Sequence, residues 1–354
     1  MEFEEILRIE DDLQRNEALY SVFNEDERLV SQAGQVEFLT TFRELEKYVT
    51  DQSKILDIGA GTGVYPFPLA KIAKEVVALE PASRNYKRLT EKIAASLLTN
   101  LEVQQKSPLE LEGFPAGYFD LVLLFGPLYH LSQTADREET LRQAKRLMAP
   151  GGKLFIAFIN HDMIPMTETA RNPHYLTAPD SGFQAEKGRV KKRPFVFFTL
   201  KECREMLEQA GLSILSILAT DGFAEMLAPQ INAMDQRTYQ TYLDWHFVHC
   251  KDPHLLGASN HFLFICRKDE FTKEKTMTFE EILPGLKAKK KYVRTGWGGA
   301  ENYVQLFDTI EVHGQKLEAT PYFLINVTGE GEGFSMWSPT PCDVLATDWV
   351  EVHD

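Results

Sequence analysis

The 354-residue chain is short of several things, and each shortage closes a class of answers. It has four cysteines, Cys203, Cys250, Cys266 and Cys342, and no CxxC spacing among them. Neither a disulfide framework nor a zinc site is expected, and a reducing cytoplasm is the default compartment. Basic residues are scarce: 38 Lys and Arg stand against 52 Asp and Glu, for a net charge of −14. An acidic surface repels phosphate backbones, which disfavours DNA or RNA as a partner. No apolar run is long enough for a bilayer, because the stretch 121–131 is broken by Gly126, Pro127 and His130. The start, MEFEEILRIEDD, lacks the basic and apolar regions of a secretory signal. There is no internal repeat and no low-complexity tract. What remains, 44% hydrophobic and 25% charged, is an ordinary globular composition at a length that suits about two domains.

Periodicity divides the chain. Val36, Leu39, Phe42, Leu45 and Tyr48 recur every third residue and predict a helix over 35–48. Short apolar runs without alternation follow at 53–58, 75–80, 101–105, 118–125 and 153–159, with helical stretches at 64–74, 83–98 (Ser83 as N-cap) and 135–148 between them. Pro150-Gly151-Gly152 stops the last of these helices. Strands alternating with helices mean an α/β fold with a parallel sheet covered on both faces. Residues 161–194 show no period and read as a cap or lid over the sheet's mouth. Thr199-Leu-Lys-Glu202 is a capping box that opens a helix closed by Gly211. Late strands are expected at 213–220 and 260–266, and 269–274 is a charged junction. Trp245, His246, Asn260 and His261 read individually as packing residues. Beyond 277 a second capping box, Thr278-Phe-Glu-Glu281, opens a small α+β module, with strands at 291–294, 302–307, 322–327, 334–338 and 349–352 punctuated by glycines.

The chemistry concentrates in Asp57-Ile-Gly59-Ala60-Gly61-Thr-Gly63, between the first strand and a helix. Glycines there let the backbone turn sharply and let a ligand approach without Cβ clashes. The loop lies at the carboxyl end of a strand, where doubly wound sheets bind ligands. Glu80 ends the second strand, and a carboxylate there can accept both hydroxyls of a ribose. That alone suits either NAD or an adenosyl cofactor. A dinucleotide fingerprint reads GxGxxG, whereas this loop is GxGxG, which favours the adenosyl cofactor.

The set KILDIGAGTG, VVALEPA, FDLVLLFGPLYHL and LMAPGGKLFIAF, in this order and spacing, resembles class I S-adenosylmethionine-dependent methyltransferases over roughly residues 15–268. The resemblance implies a Rossmann-like, mostly parallel seven-stranded sheet, with residues 1–270 as the methyltransferase domain. It implies S-adenosyl-L-methionine as cofactor. Asp57, Gly59, Ala60, Gly61 and Gly63 would hold its methionine part, Glu80 and Pro81 would lie at the ribose, and Phe125 and Gly126 would line the other side. Gln105-Lys-Ser107 stands where many relatives place an acid for the adenine amino group, so Ser107 or a backbone group is expected to make that contact. His130 is the candidate base, with Tyr129 beside it; for either, core packing is the competing reading. The Asp/Asn-Pro-Pro-Tyr/Phe motif of base-amino methyltransferases is absent after the fourth strand, and no carboxylate cluster for magnesium is evident. A small-molecule methyl acceptor is therefore expected, with no metal, nucleic acid or membrane.

The end of the chain, with Arg294-Thr-Gly-Trp297 and Asp343-Val-Leu-Ala-Thr-Asp348-Trp349, resembles the second Thoeris anti-defence protein family over 277–354. That implies binding of a nucleotide-derived ligand and a homo-oligomer formed through this domain. Two rivals stay open: a nicotinamide-dependent oxidoreductase, and a non-catalytic nucleotide-binding or sequestering protein on a methyltransferase scaffold.

Overall fold

Apolar runs that lack alternation become strands buried on both faces, and in the first half of the chain they assemble around one sheet. The computed structural model describes residues 3–27, 29–191, 194–268, 276–297, 301–328 and 333–352. The chain divides into two compact units, Met1–Lys268 and Asp269–Asp354. The first unit holds β1 (Lys54–Ile58), β2 (Glu75–Leu79), β3 (Leu101–Gln104), β4 (Phe119–Leu124), β5 (Met148–Ile159), the two-residue pair β6 (Phe183–Gln184) and β7 (Arg189–Val190), β8 (Leu212–Ala219) and β9 (His261–Lys268). Seven of them form a sheet in the order β3-β2-β1-β4-β5-β9-β8. The first five are mutually parallel, and β9 runs antiparallel to both β5 and β8. This is the Rossmann-like methyltransferase fold. The strand order reverses between β1 and β4, and the crevice at that reversal is where open α/β sheets bind ligands.

Two apolar clusters cover the faces. One gathers Leu56, Val122, Leu141, Ile156, Leu207 and Phe264; the other gathers Ile55, Leu69, Leu89, Leu123, Phe155 and Ile265. Neighbours in sequence along one strand alternate between clusters, which is why the strands carry apolar residues at every position.

Several elements differ from the sequence reading. The helix expected over 64–74 is reduced to Pro66–Ala70. Pro66 and Pro68 bring no N–H, and the chain leaves the helix early enough for Ala70 and Ala73 carbonyls to accept from Asn100. Ser83 is the first residue of the helix Ser83–Ala95 rather than its cap; Ala82 holds that position with no side-chain hydrogen bond. Pro150-Gly151-Gly152 lies inside β5, where the register with β4 slips. A Cβ on Gly152 would meet the Ala149 and Asp120 carbonyls at 2.9 and 3.0 Å, so only glycine fits there. The aperiodic segment after β5 contains the helix Met163–Arg171 and the β6–β7 pair. The stripe around Val36 belongs to the helix Gln32–Leu45, capped by the Ser31 side chain. It packs on two helices that sequence periodicity missed, Ala228–Asn232 and Gln236–His249, through Ala33, Val36, Ile231 and Leu243. Among the described residues no helix is long and apolar enough to cross a membrane.

The second unit is α+β. Both halves of the Thr278/Glu281 capping box form and start the helix Phe279–Lys287. Strands β10 (Lys291–Arg294), β11 (Glu301–Val312), β12 (Gln315–Val327), β13 (Gly333–Trp337) and β14 (Trp349–Val352) make an antiparallel sheet in the order β13-β12-β11-β10-β14. The runs 302–307 and 322–327 are the bases of a longer hairpin. It turns at His313 and Gly314, both at positive φ, as a two-residue hairpin turn requires. The junction 269–274 and Gly298, Gly299, Gly329 and Gly331 lie outside the described residues.

The paired motifs of this unit are spent on its own scaffold. Arg294 donates from Nε to Asp348 and from Nη1 to Asp343, each at 2.9 Å, while Asp348 also accepts from the Gly296 N–H. Trp349 is fully buried against Phe279 and Trp297, and its indole N–H donates to the Asp343 carbonyl.

Candidate functional site

The loop after β1 is shaped by its neighbours. Gly59 and Ala60 donate their N–H groups to the Leu79 carbonyl at the end of β2. Gly59 has φ +84°, and a Cβ there would come within 3.0 Å of Pro127. Gly63 has φ +95°, and a Cβ there would meet Leu89 and Phe67 at 2.7–2.8 Å. Gly63 therefore serves the packing of the loop on its helices.

Glu80 ties the loop together from below. Its Oε2 accepts from the Gly61 N–H at 2.8 Å and its Oε1 from the Ala82 N–H at 2.9 Å. A carboxylate has about four lone-pair sites, so each oxygen keeps capacity for a ligand. Asp57 is 1% exposed, and its Oδ1 has no hydrogen-bond partner. Burial, reinforced by the charge of Glu80, pushes the Asp57 carboxyl up to about 8. Burial likewise raises Glu80 to about 7, against the pull of its two backbone N–H donors. Both carboxyls therefore keep their protons to higher pH than exposed ones do.

These groups face a cavity at the β1/β4 reversal. It brings together Asp57, Gly59, Ala60, Gly61, Glu80 and Pro81 with Phe125, Gly126, Tyr129 and His130 beyond β4. Gly63 and Ser107 do not line it. Ser107 turns inward on its own loop, donating its N–H to Glu110 and accepting from the Leu109 N–H, while Pro108 takes the place at the cavity wall. The sequence reading missed Leu13, Asn16 and Tyr20, which line the cavity from the helix Asp12–Val22. Their i, i+3, i+7 spacing puts them on one face, a signal that was available. Asn16 is buried, with an Oδ1 that has no partner.

His130 is 7% exposed, with Nε2 2.9 Å from the Tyr20 hydroxyl and Nδ1 unpartnered. Burial, then the nearby charge of Arg15, lower it to about 4, against the opposing pull of Asp12. An imidazole that hard to protonate is a poor base at neutral pH, since an effective general base titrates near the working pH. Tyr129 donates its hydroxyl to the Phe125 carbonyl at 2.5 Å and stacks its edge toward Phe195.

A second chamber adjoins the first and shares Tyr20, Glu25 and Tyr129 with it. Its wall includes Asp221 and His261, whose Nδ1 is 2.7 Å from Asp221 Oδ2. Of the four residues read as packing, His246 is buried and Trp245 is 45% exposed, whereas His261 faces this chamber and Asn260 lines the space beside it. Sequence gives no warning of this, because Asp221 and His261 meet only through the β8–β9 pairing. Glu37 adds a third side chain, and ligand-type atoms of Glu37, Asp221 and His261 lie within 4.8 Å of one another.

Comparison with known proteins agrees with this architecture. Residues 56–156 match the model of a methyltransferase domain, and residues 277–352 match that of a Thoeris anti-defense 2-like domain. The chain thus joins a methyltransferase domain to a Thoeris anti-defense 2-like domain. Ubiquinone biosynthesis O-methyltransferase of Caulobacter vibrioides is 31% identical over 109 residues, which is 31% of this chain and 42% of that protein. The protein of the same name from Methylocella silvestris is 34% identical over 116 residues, covering 31% of this chain and 41% of its own. These matches span about four tenths of the relatives' length. Among solved structures, the CcbJ methyltransferase of Streptomyces caelestis aligns over 71% of this chain and 95% of its own at 16% identity, with a TM-score of 0.45.

Proposed function

We propose that the first unit is an S-adenosylmethionine-dependent methyltransferase acting on a small molecule. The observation that carries this is the Asp57–Glu80 pair at the strand-order reversal. Asp57 presents an unpartnered acceptor to the cavity, and Glu80 has lone pairs to spare. The unpartnered Oδ1 atoms of Asp57 and Asn16 suit the ammonium of a methionine moiety, and Glu80 suits the two hydroxyls of a ribose. Leu13, Pro81 and Pro108 offer apolar surface for a purine ring. The cofactor, when bound, supplies an electrophilic methyl group. The protein's part is to fix both reactants in line and to exclude water. Tyr20, Glu25 and Tyr129 line both chambers, and His130, held by Tyr20, is assigned to the cofactor wall.

Calorimetric titration with S-adenosylmethionine, with NAD as control, tests the reading. Glu80→Ala is expected to weaken S-adenosylmethionine binding by roughly 1–3 kcal/mol, the cost of leaving buried polar groups unsatisfied. Binding of NAD in its place would favour an oxidoreductase; binding without turnover of any acceptor would favour a sequestering protein. For the second unit, the reading is an accessory domain that self-associates. Phe334 and Met336 of the edge strand β13 are 52% and 73% exposed, which supports pairing of that edge with another copy. Sedimentation velocity checks it: a monomer at all concentrations, unchanged by Met336→Lys, would overturn it.

A further inference from the structure

The wall of the chamber beside the cofactor cavity is acidic. Among the described residues that line it are four carboxylates, Glu25, Glu37, Asp221 and Glu225, and no Lys or Arg. They come from three places in the fold: the short turn Glu25–Glu27, the helix Gln32–Leu45 and the stretch that follows β8. The space beyond the chamber adds Glu168. Against these stand Arg171 and His261. Arg171 does not line either space; it meets Glu168 at 2.9 Å and Glu225 at 2.6 Å. His261 Nδ1 is 2.7 Å from Asp221 Oδ2. With His261 counted as a full cation, the carboxylates keep the majority. Burial would raise the Asp221 carboxyl, but the facing His261 and its hydrogen bonds hold it below its ordinary value, so it is ionised at neutral pH.

The rest of the wall is largely apolar and aromatic. Tyr20 and Phe23 form one edge-to-face pair and Tyr129 and Phe195 another, with ring centroids 6.3 and 6.1 Å apart. The face of an aromatic ring attracts an ammonium. Tyr20, Glu25 and Tyr129 also line the cofactor cavity, so this acidic and aromatic surface reaches the junction of the two spaces. Glu25 lies against the glycine loop there. A Cβ on Gly61 would stand 3.5 Å from Glu25 Cγ, and the charge of Glu25 adds to the burial that raises Glu80. In a chamber with so much apolar wall a charged guest is costly unless it is countered. Carboxylates counter a cation and repel an anion.

We propose that the methyl acceptor is an organic amine on an apolar, ring-sized body with no carboxylate of its own, drawn into the chamber as its ammonium by the carboxylates of the wall and methylated on nitrogen at the junction beside Tyr20, Glu25 and Tyr129. This rests on the reading of the first unit as an S-adenosylmethionine-dependent methyltransferase. The ammonium releases one proton to water on reaching the junction. The nitrogen lone pair then bonds to the methyl carbon, and the carbon–sulfur bond breaks with its electron pair going to sulfur. The product is the methylated ammonium, which keeps its remaining protons, so no side chain has to take a proton during the transfer. A hydroxyl acceptor would gain nothing from the charge of the wall, and an acceptor bearing a carboxylate would be repelled by it.

The test uses the full chain and three probes alike in ring and reach: phenethylamine, phenethyl alcohol and hydrocinnamate, which are cationic, neutral and anionic at neutral pH. Calorimetry is run with S-adenosylhomocysteine present, which has no methyl group to give. Phenethylamine is expected to bind about 10–100-fold more tightly than the alcohol, the range that hydrogen bonds to charged groups span, and hydrocinnamate is expected to bind more weakly than either. With S-adenosylmethionine, labelled methyl is expected on the nitrogen of phenethylamine. Glu37→Gln and Glu225→Gln are each expected to weaken phenethylamine by about tenfold and to leave the alcohol unchanged. Calorimetric affinity for S-adenosylmethionine is expected to be unchanged in both variants, which also shows that they fold. Equal binding of the three probes, a preference for the alcohol or for hydrocinnamate, variants that weaken amine and alcohol alike or neither, transfer abolished by a chelator, or no transfer to the amine nitrogen by a chain that binds S-adenosylmethionine would each overturn this proposal alone. A wild-type chain that does not bind S-adenosylmethionine overturns it together with the reading on which it rests.

Discussion

Asp57 shows how burial converts an ordinary carboxyl into a poised one. Unfolded, Asp57 and Glu80 titrate near 3.8 and 4.5; folded, they reach about 8 and about 7. A raised folded value means that the native state holds protons the unfolded state has lost. The stability these groups contribute is therefore fully present below the unfolded values and falls as pH rises toward the folded ones. Urea titrations of the ligand-free chain are expected to show this decline from about pH 4 to about pH 8, and Asp57→Asn is expected to flatten it. A cationic ligand group favours ionised Asp57, so the stabilisation by S-adenosylmethionine is expected to grow across the same interval. That Asp57, near the end of β1, and Glu80, just after β2, would line one cavity was legible from their places in the sequence. The surroundings of His130 were not: its lowered basicity comes first from a degree of burial that no local pattern records, then from the charge of Arg15, more than a hundred residues earlier. Ser107 was assigned from its place in the family's pattern; the short Ser107–Glu110 turn, a three-residue interaction, takes it out of the cavity.

The strands were legible because burial on both faces leaves an unbroken apolar run, and the two capping boxes were legible because their chemistry is local. Thr199 accepts from the Glu202 N–H while Glu202 accepts from the Thr199 N–H. Thr199→Ala is expected to lower stability by about 0.5–2 kcal/mol, read from chemical denaturation. Elements set by tertiary contact escaped. The helix Gln236–His249 carries polar and aromatic residues around most of its circumference, yet it forms against Gln32–Leu45. The outer half of the β11–β12 hairpin is largely exposed, so its residues carry no inward-facing pattern to read.

At the scale of the molecule, each unit has its own apolar core. In the second, Trp349, Ile282, Leu286, Tyr292 and Val304 form it. Two cooperative transitions are expected in scanning calorimetry, with S-adenosylmethionine raising the one that belongs to the Asp57 unit. A single transition moved as a whole by the ligand would refute that expectation.

The antiparallel β9 has a consequence for how such a protein can change. Most of the residues that face the cofactor cavity fall within 57–131, whereas the imidazole–carboxylate pair comes from 221–261, at the opposite end of the domain's sequence. Most of the second chamber's wall, however, comes from residues 3–37, and Tyr20 and Glu25 of that stretch line both chambers, so a change there is felt in both at once, whereas a change at Asp221 or His261 touches the second chamber alone.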